Sequence, residues 1–573
     1  MYFGKTGFSG MSLAPAFVFS RAQLQIPEAL SQDPKADLQK THQAINQVKE
    51  SLQALSENQE TTSDARDILE AHLLMLEDPE WICQIEDKIQ NQKQNPLKSV
   101  HETGLEFKAM MESLEDDYLR ARAQDVMDLT YQVLAQLQGQ GTSQREPNSD
   151  YVLVAQDILP SEFLKLTRSK LKGLVLENVS TTSHTVILAK TFELPTVVAL
   201  SQATQVIRTG DLIGLDGLKG QVLVNPDSVQ KSEILKQIEK QAQEKEELQK
   251  YVNLRSVSAD GVAFEVASNL SSLADAEIAK KKGTEGCGLF RTEFLLMDRG
   301  QWPTQDEQTK IYSEIIRLMS PHKTIIRLFD VGGDKTLPYL KMPHEENPFL
   351  GLRGLRLLLK HPDLLKDQLK ALIRASVEGP VGIMAPMVTT QEEVHEFRRL
   401  FRECSAELVE SGGLRASHAA SSEKIELGIM VEVPAIALQL RELSAVLDFV
   451  SVGTNDLIQY LCATDRMNSE VASLHDAFNP GVLRFLKLIS DQLHGTSTWM
   501  GMCGELAGLT GYVPLLMALG FRELSVSPGS LLKTRAKVLQ TSVSKSQALL
   551  DQALSVPDRE ALRNLVLGEG ASS

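Results

Sequence analysis

Cysteine is scarce in this chain and long apolar runs are missing. Its 573 residues include five cysteines, Cys83, Cys287, Cys404, Cys462 and Cys503. Odd in number and widely spaced, they suit neither a disulfide framework nor a CxxC zinc site, and fit a reducing cytoplasm. No apolar stretch approaches the roughly 20 residues of a membrane span, and Met1-Tyr2-Phe3-Gly4-Lys5 lacks the basic and apolar regions of a signal peptide. No membrane insertion is therefore expected. Positive charge is also in deficit, with 59 Lys and Arg against 75 Asp and Glu for a net charge of −16. That balance disfavours nucleic acid or an anionic membrane as partner and favours a basic protein. An anionic small substrate would have to be collected by local arginines. The Gly332-Gly333-Asp334-Lys335 loop lacks the GxxxxGK spacing of a nucleotide P-loop.

The length and a hydrophobic content of 42% are those of a globular chain of three or four domains. From about Pro34 to Gln138 the sequence is rich in Leu, Ala, Glu, Gln and Lys, and the broad apolar face of Ile68–Leu76 predicts packed helices. Gly139-Gln140-Gly141-Thr142-Ser143 closes this region. Short β-prone runs follow, Tyr151–Val154 and Leu174–Leu176, in an α/β part that ends near Val222–Pro226. Ser228–Leu254 alternates charge, contains neither Gly nor Pro, and predicts one helix of about 25 residues, ~37 Å if unbroken.

His184 lies in the α/β part, behind the hydroxyls of Thr181, Thr182 and Ser183 and ahead of Val186-Ile187-Leu188-Ala189. Hydroxyls and a helix N-terminus can receive phosphate oxygens, and an imidazole can attack phosphorus. A capping Ser183 beside an ordinary surface histidine has the same spacing.

After Ser256 come eight β-prone runs, mostly separated by helical patterns: 263–266, 286–290, 324–329, 381–384, 427–431, 449–452, 497–500 and 524–526. Eight such units in about 300 residues predict a (β/α)8 barrel, whose strand ends meet at one mouth. Reactive residues follow those ends: Arg291; Arg327 and Asp330; Glu432; Asn455 and Asp456; Cys503 and Glu505. Arginine forks suit phosphate and carboxylate, and Glu432 with Asp456 can hold one hard divalent cation. Cys503, between Gly501 and Gly504, reads as sterically open and able to transfer a proton, although a lone cysteine is more often inert packing.

Six motifs in order, 288–294 (GLFRTEF), 330–335 (DVGGDK), 347–351 (NPFLG), 430–434 (MVEVP), 453–457 (GTNDL) and 501–508 (GMCGELAG), resemble enzyme I of the phosphoenolpyruvate:sugar phosphotransferase system. The resemblance implies Mg²⁺-dependent transfer of phosphoryl from phosphoenolpyruvate (PEP) to a histidine and then to the carrier protein HPr, with release of pyruvate. His184 matches the phosphorylated residue and Cys503 the proton donor. Arg291, Arg327, Arg353, Asn455 and Arg466 match substrate contacts, and Glu432 and Asp456 the Mg²⁺ ligands. The implied architecture is α/β multidomain. An α/β phosphohistidine domain (1–33 and 139–227) carries an inserted helical bundle (34–138) that receives HPr, a helical linker spans 228–255, and a TIM barrel (256–573) forms a homodimer. Glu70, His72, Met75, Glu77, Asp78 and Glu80 fall in the docking segment, and the stretch 115–126 braces the helices. The chain departs from the family pattern at Val179, Ser180 and Phe163, all expected near His184, and at Ser9–Leu13, Leu328 and the 412–422 loop. A pyruvate dikinase or PEP synthase relative would need a further nucleotide-binding domain, for which the chain has no room; a regulatory paralogue with weak turnover remains a second reading.

Overall fold

The computed structural model describes residues 1–20, 26–28, 30–56, 69, 72–113, 117–139, 146–166, 169–179, 184–297, 301–333, 339–340, 345–412, 424–466, 468 and 470–568. It divides into two compact units, Met1–Lys245 and Glu246–Ser573.

The first unit contains an eight-stranded sheet in the order β1-β8-β7-β3-β4-β5-β6-β2. Its strands are β1 Tyr2–Phe3, β2 Lys5–Phe8, β3 Met11–Val18, β4 Tyr151–Ala155, β5 Leu171–Leu176, β6 Thr196–Val198, β7 Leu212–Asp216 and β8 Gln221–Val224. β4 and β5 read as unbroken apolar runs because β4 is buried at every position and β5 at nearly all, as expected of strands covered on both faces. Between β3 and β4 the chain forms the helices Pro34–Ser56, Pro79–Gln90, Pro96–Ser113 and Asp117–Leu137. Leu52, Leu69, Leu76, Ile85, Ile89 and Val133 fill a core of this helical region, against which Leu164 of the α/β part also packs. The helix predicted over 228–254 is Ser228–Gln249. It stops short because residues 250–254 turn towards the barrel through bonds such as Tyr251 N to Leu248 O.

The second unit is a closed barrel of β9 Glu265–Leu270, β10 Cys287–Phe290, β11 Thr324–Arg327, β12 Val381–Ala385, β13 Glu426–Val431, β14 Phe449–Val452, β15 Trp499–Met502 and β16 Glu523–Val526, paired in parallel throughout. The first and seventh strands begin two residues later than their apolar patterns suggested. Ala263 instead bridges Val257 in a turn beneath the barrel. Thr498 caps the preceding loop by donating to Leu447 O and Ser444 O. Val266, Ile326, Ile383, Ile429, Val450 and Leu524 pack outwards against the helices. Leu289, Ile325, Met384, Met430, Phe449 and Cys503 fill the interior.

Two polar devices anchor the N-terminal end of the barrel. Arg535 is fully buried; it donates to the carbonyls of Tyr251 (3.0 Å), Val252 (2.8 Å) and Gly283 (2.5 Å) and to Ser256 Oγ (3.3 Å), so the segment entering the barrel is clamped to it. Below the apolar interior, Lys323 donates to both oxygens of Glu426 and lies over Trp499, whose Nε1 also donates to Glu426. Beside them Glu523 is buried, with Oε1 unpartnered among the described residues. Gly288 makes room for it, since a Cβ there would collide with Glu523 Oε1. Burial, then the neighbouring Glu265, push the Glu523 carboxyl up to about 8 against the partial relief of Lys323.

Arg535→Met should cost about 3 kcal/mol, because the carbonyls it leaves are buried without donors; the measurement is urea unfolding of the barrel followed by tryptophan fluorescence. Glu523 gives a pH signature of definite sign. Its folded value lies above the ordinary 4.5, so its contribution is complete below pH 4.5 and is lost as pH rises through about 8. Glu523→Gln should therefore gain stability relative to wild type as pH rises from 5 to 9, by on the order of 2 kcal/mol at pH 9. Parallel stability curves for the two proteins would contradict this.

Candidate active site at the barrel mouth

The strands carry their last residues to one end, where a cavity of about 540 Å³ is lined by Arg291, Arg327, Arg353, Glu432, Asn455, Asp456, Arg466 and Cys503. Every barrel residue singled out from the sequence thus borders the same space. Most arrive by the same route: Arg327 ends β11, while Arg291, Glu432 and Cys503 immediately follow β10, β13 and β15. Asn455 and Asp456 occupy the first turn of the helix Thr454–Cys462 that follows β14. Arg353 and Arg466 come from loops.

The charges at the floor of this cavity are buried and interlocked. Arg353 is 1% exposed. It forks onto Asp330 at 2.9 and 2.8 Å and reaches Asp456 at 3.4 and 3.2 Å. Arg327 pairs with Glu293 and with Asp330 at 3.1 Å. Burial opposes both guanidinium charges, yet the surrounding carboxylates hold both above the ordinary arginine value. Nearer solvent, Arg466 lies 3.9 Å from Asp456. Asn455 exchanges bonds with Glu505, its Nδ2 donating to Oε1 at 3.3 Å and its Oδ1 accepting from the Glu505 amide at 3.2 Å.

Glu432 accepts from the Met387 amide at 2.7 Å through Oε1. Its Oε2 is buried without a hydrogen-bond partner among the described residues. Burial, then Asp456 and Asp330, push this carboxyl up to about 8. An orphaned buried oxygen beside a second carboxylate, in a site with surplus negative charge, fits a hard divalent cation. The described residues contain no group of three or more His, Cys, Asp or Glu side chains able to cage a metal. A cation held by Glu432 and Asp456 would thus keep most of its coordination for substrate and water, as Mg²⁺ does.

Cys503 departs from its sequence reading. Instead of being sterically open it is 2% exposed, with Sγ 3.7 Å from the Val452 carbonyl. The flanking glycine serves packing, since a Cβ on Gly504 would collide with Thr454. Burial pushes the thiol up to about 12, so it keeps its proton at neutral pH. That suits an acid and rules out a standing thiolate nucleophile.

In the first unit, His184 is the first residue of the helix His184–Thr191; residues 180–183, with their three hydroxyls and Ser180, lie outside the described residues. The following helix is fixed from below. Thr185 donates to Ile158 O at 2.7 Å, and Val186 and Leu188 join a core containing Phe163, with Val179 packed against it. Phe163 stacks on Phe192 at 5.7 Å. These two departures from the family pattern therefore add apolar support to the histidine helix. The docking segment is corrected more substantially. His72 is fully buried, with Nε2 3.6 Å from Asp125 Oδ1, so it braces the bundle and offers no docking surface. Asp78 caps the helix Pro79–Gln90 by accepting from the Glu80 and Trp81 amides. Glu77 and Glu80 remain exposed, and Glu70 lies outside the described residues, as do Asp334, Lys335 and residues 413–423.

Sequence reasoning missed Glu293 and His475, which line the cavity. Glu293 stood inside a quoted motif, and its role as the Arg327 partner needed the fold to appear. His475 carried no motif signal.

Models of the PEP-utilising enzymes match along the chain: the N-terminal domain over residues 4–122, the mobile domain over 147–220 and the PEP-binding domain over 245–543. A phosphoenolpyruvate-protein phosphotransferase of Geobacillus stearothermophilus is 37% identical over 570 residues, 98% of this chain and 97% of that protein. The protein of the same name from Bacillus subtilis (strain 168) is 36% identical over 555 residues, 96% of each. An NMR solution structure of an Enzyme I protein is 27% identical, covering 42% of this chain and all of that one, with a TM-score of 0.38. With its identity to such relatives sustained from end to end, the chain belongs to the phosphoenolpyruvate-protein phosphotransferase family of PEP-utilising enzymes.

Proposed function

We propose that this protein transfers the phosphoryl group of PEP to His184, releases pyruvate, and passes the phosphoryl group to a histidine of an HPr-like carrier. The observation that carries this reading is the barrel mouth, where arginines, a partly unsatisfied carboxylate pair and a protonated thiol border one cavity. Arg291 and Arg466 would grip the phosphate and carboxylate of PEP. Arg327 and Arg353, already fixed by Glu293, Asp330 and Asp456, would meet the phosphoryl oxygens without reorganising. Mg²⁺ at Glu432 and Asp456 would supply charge neutralisation for the phosphoryl oxygens and the departing enolate.

The bond between phosphorus and the enol oxygen breaks as the imidazole of His184 takes the phosphoryl group. The electron pair left on that oxygen closes to the carbonyl of pyruvate, and the methylene carbon takes the Cys503 proton. The low exposure of Cys503 keeps that proton from exchanging unproductively with solvent.

His184 and the barrel mouth belong to different compact units. Movement about the Ser228–Gln249 helix is therefore part of the proposal, as is docking of a basic carrier on the helical bundle around Glu77 and Glu80. A cytoplasmic homodimer associating through its barrels completes the reading. The cytoplasmic part of this reading accords with the free state of the five cysteines.

Incubation with PEP and Mg²⁺ should place an acid-labile phosphoryl group on the protein. His184→Ala, or prior chelation with EDTA, should abolish the label, and persistent labelling of the alanine variant would sink the assignment. Cys503→Ser should lower kcat for pyruvate formation by about 10²-fold or more while affecting the KM for PEP far less. Steady-state kinetics on both proteins measures the split.

A further inference from the structure

Arg466 borders the cavity, yet its side chain is loosely held. Its guanidinium lies 3.9 Å from Asp456, beyond hydrogen-bond reach, whereas Arg353 forks onto Asp330 at 2.9 and 2.8 Å. Arg353 is fixed through its side chain, and Arg466 has to be fixed through its main chain. The Arg466 amide donates to Gln459 Oε1 at 3.1 Å. Gln459 is 4% exposed and has no part in the mechanism above.

That bond completes a turn folded back onto one residue. The helix Thr454–Cys462 ends at Ala463, whose left-handed backbone (φ 51°) reverses the chain. Gln459 O accepts from the amides of Ala463 and Thr464, the latter at 3.0 Å. With the Arg466 amide on its side chain, Gln459 gathers three amides of the segment that carries the arginine. The same helix begins just after β14 and holds Asp456 in its first turn. Asp456 and Gln459, three residues apart, share a helix face. The next residue, Tyr460, donates from its hydroxyl to Phe349 O at 2.6 Å, in the loop that leads to Arg353. One helix thus ties the segments of both arginines to the carboxylate they share. A glutamine suits the task, because it accepts an N–H without adding negative charge to a site already crowded with carboxylates.

We infer that Gln459 is a positioning residue for PEP binding: its side-chain carbonyl holds the main chain at Arg466 so that the guanidinium is presented to the anion. The inference rests on the reading that this cavity binds PEP. Held at its root, the arginine loses less conformational freedom when it meets the substrate. The worth of one such hydrogen bond corresponds to about a three- to tenfold change in affinity.

The test is a double-mutant cycle in the full-length protein with Mg²⁺, reading KM and kcat for PEP. Gln459→Met keeps the length and helical preference of the side chain and removes the acceptor. It should raise the KM about three- to tenfold with a far smaller effect on kcat. Arg466→Ala should raise the KM more than this. Added to Arg466→Ala, Gln459→Met should change kcat/KM by less than about twofold, because a group that acts only through Arg466 then has nothing to act on. Equal losses in both backgrounds would overturn the inference, by showing that Gln459 serves the fold at large, and leave the proposed function standing. An unaltered KM in the single variant would overturn it as well. Gln459→Leu takes the place of the methionine variant should thermal denaturation show the latter unfolded. A wild type that does not turn over PEP would remove the functional reading and this inference together.

Discussion

Charge cannot be buried in a protein interior unless it is balanced, and the barrel mouth is arranged around that constraint. Two buried guanidinium groups, Arg327 and Arg353, meet four buried carboxyls, Glu293, Asp330, Glu432 and Asp456. The excess is negative, and Glu432, with one oxygen left over, is forced up to about 8. Removing one partner of such a network leaves another charge stranded, which is why it is held rigidly. The same imbalance makes a divalent cation welcome. On the proposed function, with that cation in place the half-buried Arg291 and Arg466 would face an anionic substrate across a floor whose charges are already settled. Geometry prepared in this way is the form of electrostatic stabilisation that costs least at the moment of reaction.

The parallel barrel makes the arrangement possible, because closing eight parallel strands sends all their C-terminal ends to one side. Its opposite end carries a second and simpler charge problem. Lys323 and Trp499 settle Glu426, while Glu523 stays buried beside Gly288. Between the two ends lies the apolar plug of Ile325, Met384, Met430 and Phe449. Reactive groups and structural groups are thereby separated along the barrel axis.

Legibility from sequence followed the strength of the local pattern. The strand β14 was read to the residue because Phe449–Val452 is a short apolar run bounded by Asp448 and Gly453. The first and seventh strands were misplaced by two residues: the apolar Ala263 and Phe264 belong to a turn under the barrel, and Thr498 to a cap. Chemistry at strand ends could be anticipated because its position follows from topology alone. Burial could not. The placing of Cys503 between Gly501 and Gly504 suggests openness, yet Gly504 is needed because Thr454 presses against it. His72 falls in the segment that the resemblance assigns to docking, but its partner Asp125 is 53 residues away, and no local pattern links the two. His475 was invisible for the same reason: its contact with Asn455 joins a loop to the start of a preceding helix.

On the proposed function, the burial of Cys503 bears on how a thiol could serve as the acid. An exposed thiol near its ordinary value would be partly ionised at neutral pH and open to oxidation. Pushed up to about 12 by desolvation, it is almost wholly protonated before reaction. On that reading it would give up its proton only to a strongly basic centre, which PEP would present at the methylene carbon once phosphorus has departed. Had the thiol been open to solvent, as its flanking glycines suggested, proton transfer would compete with exchange to water. Buried at the edge of the cavity, it would answer only to what the cavity holds, and this would couple proton delivery to the loss of the phosphoryl group.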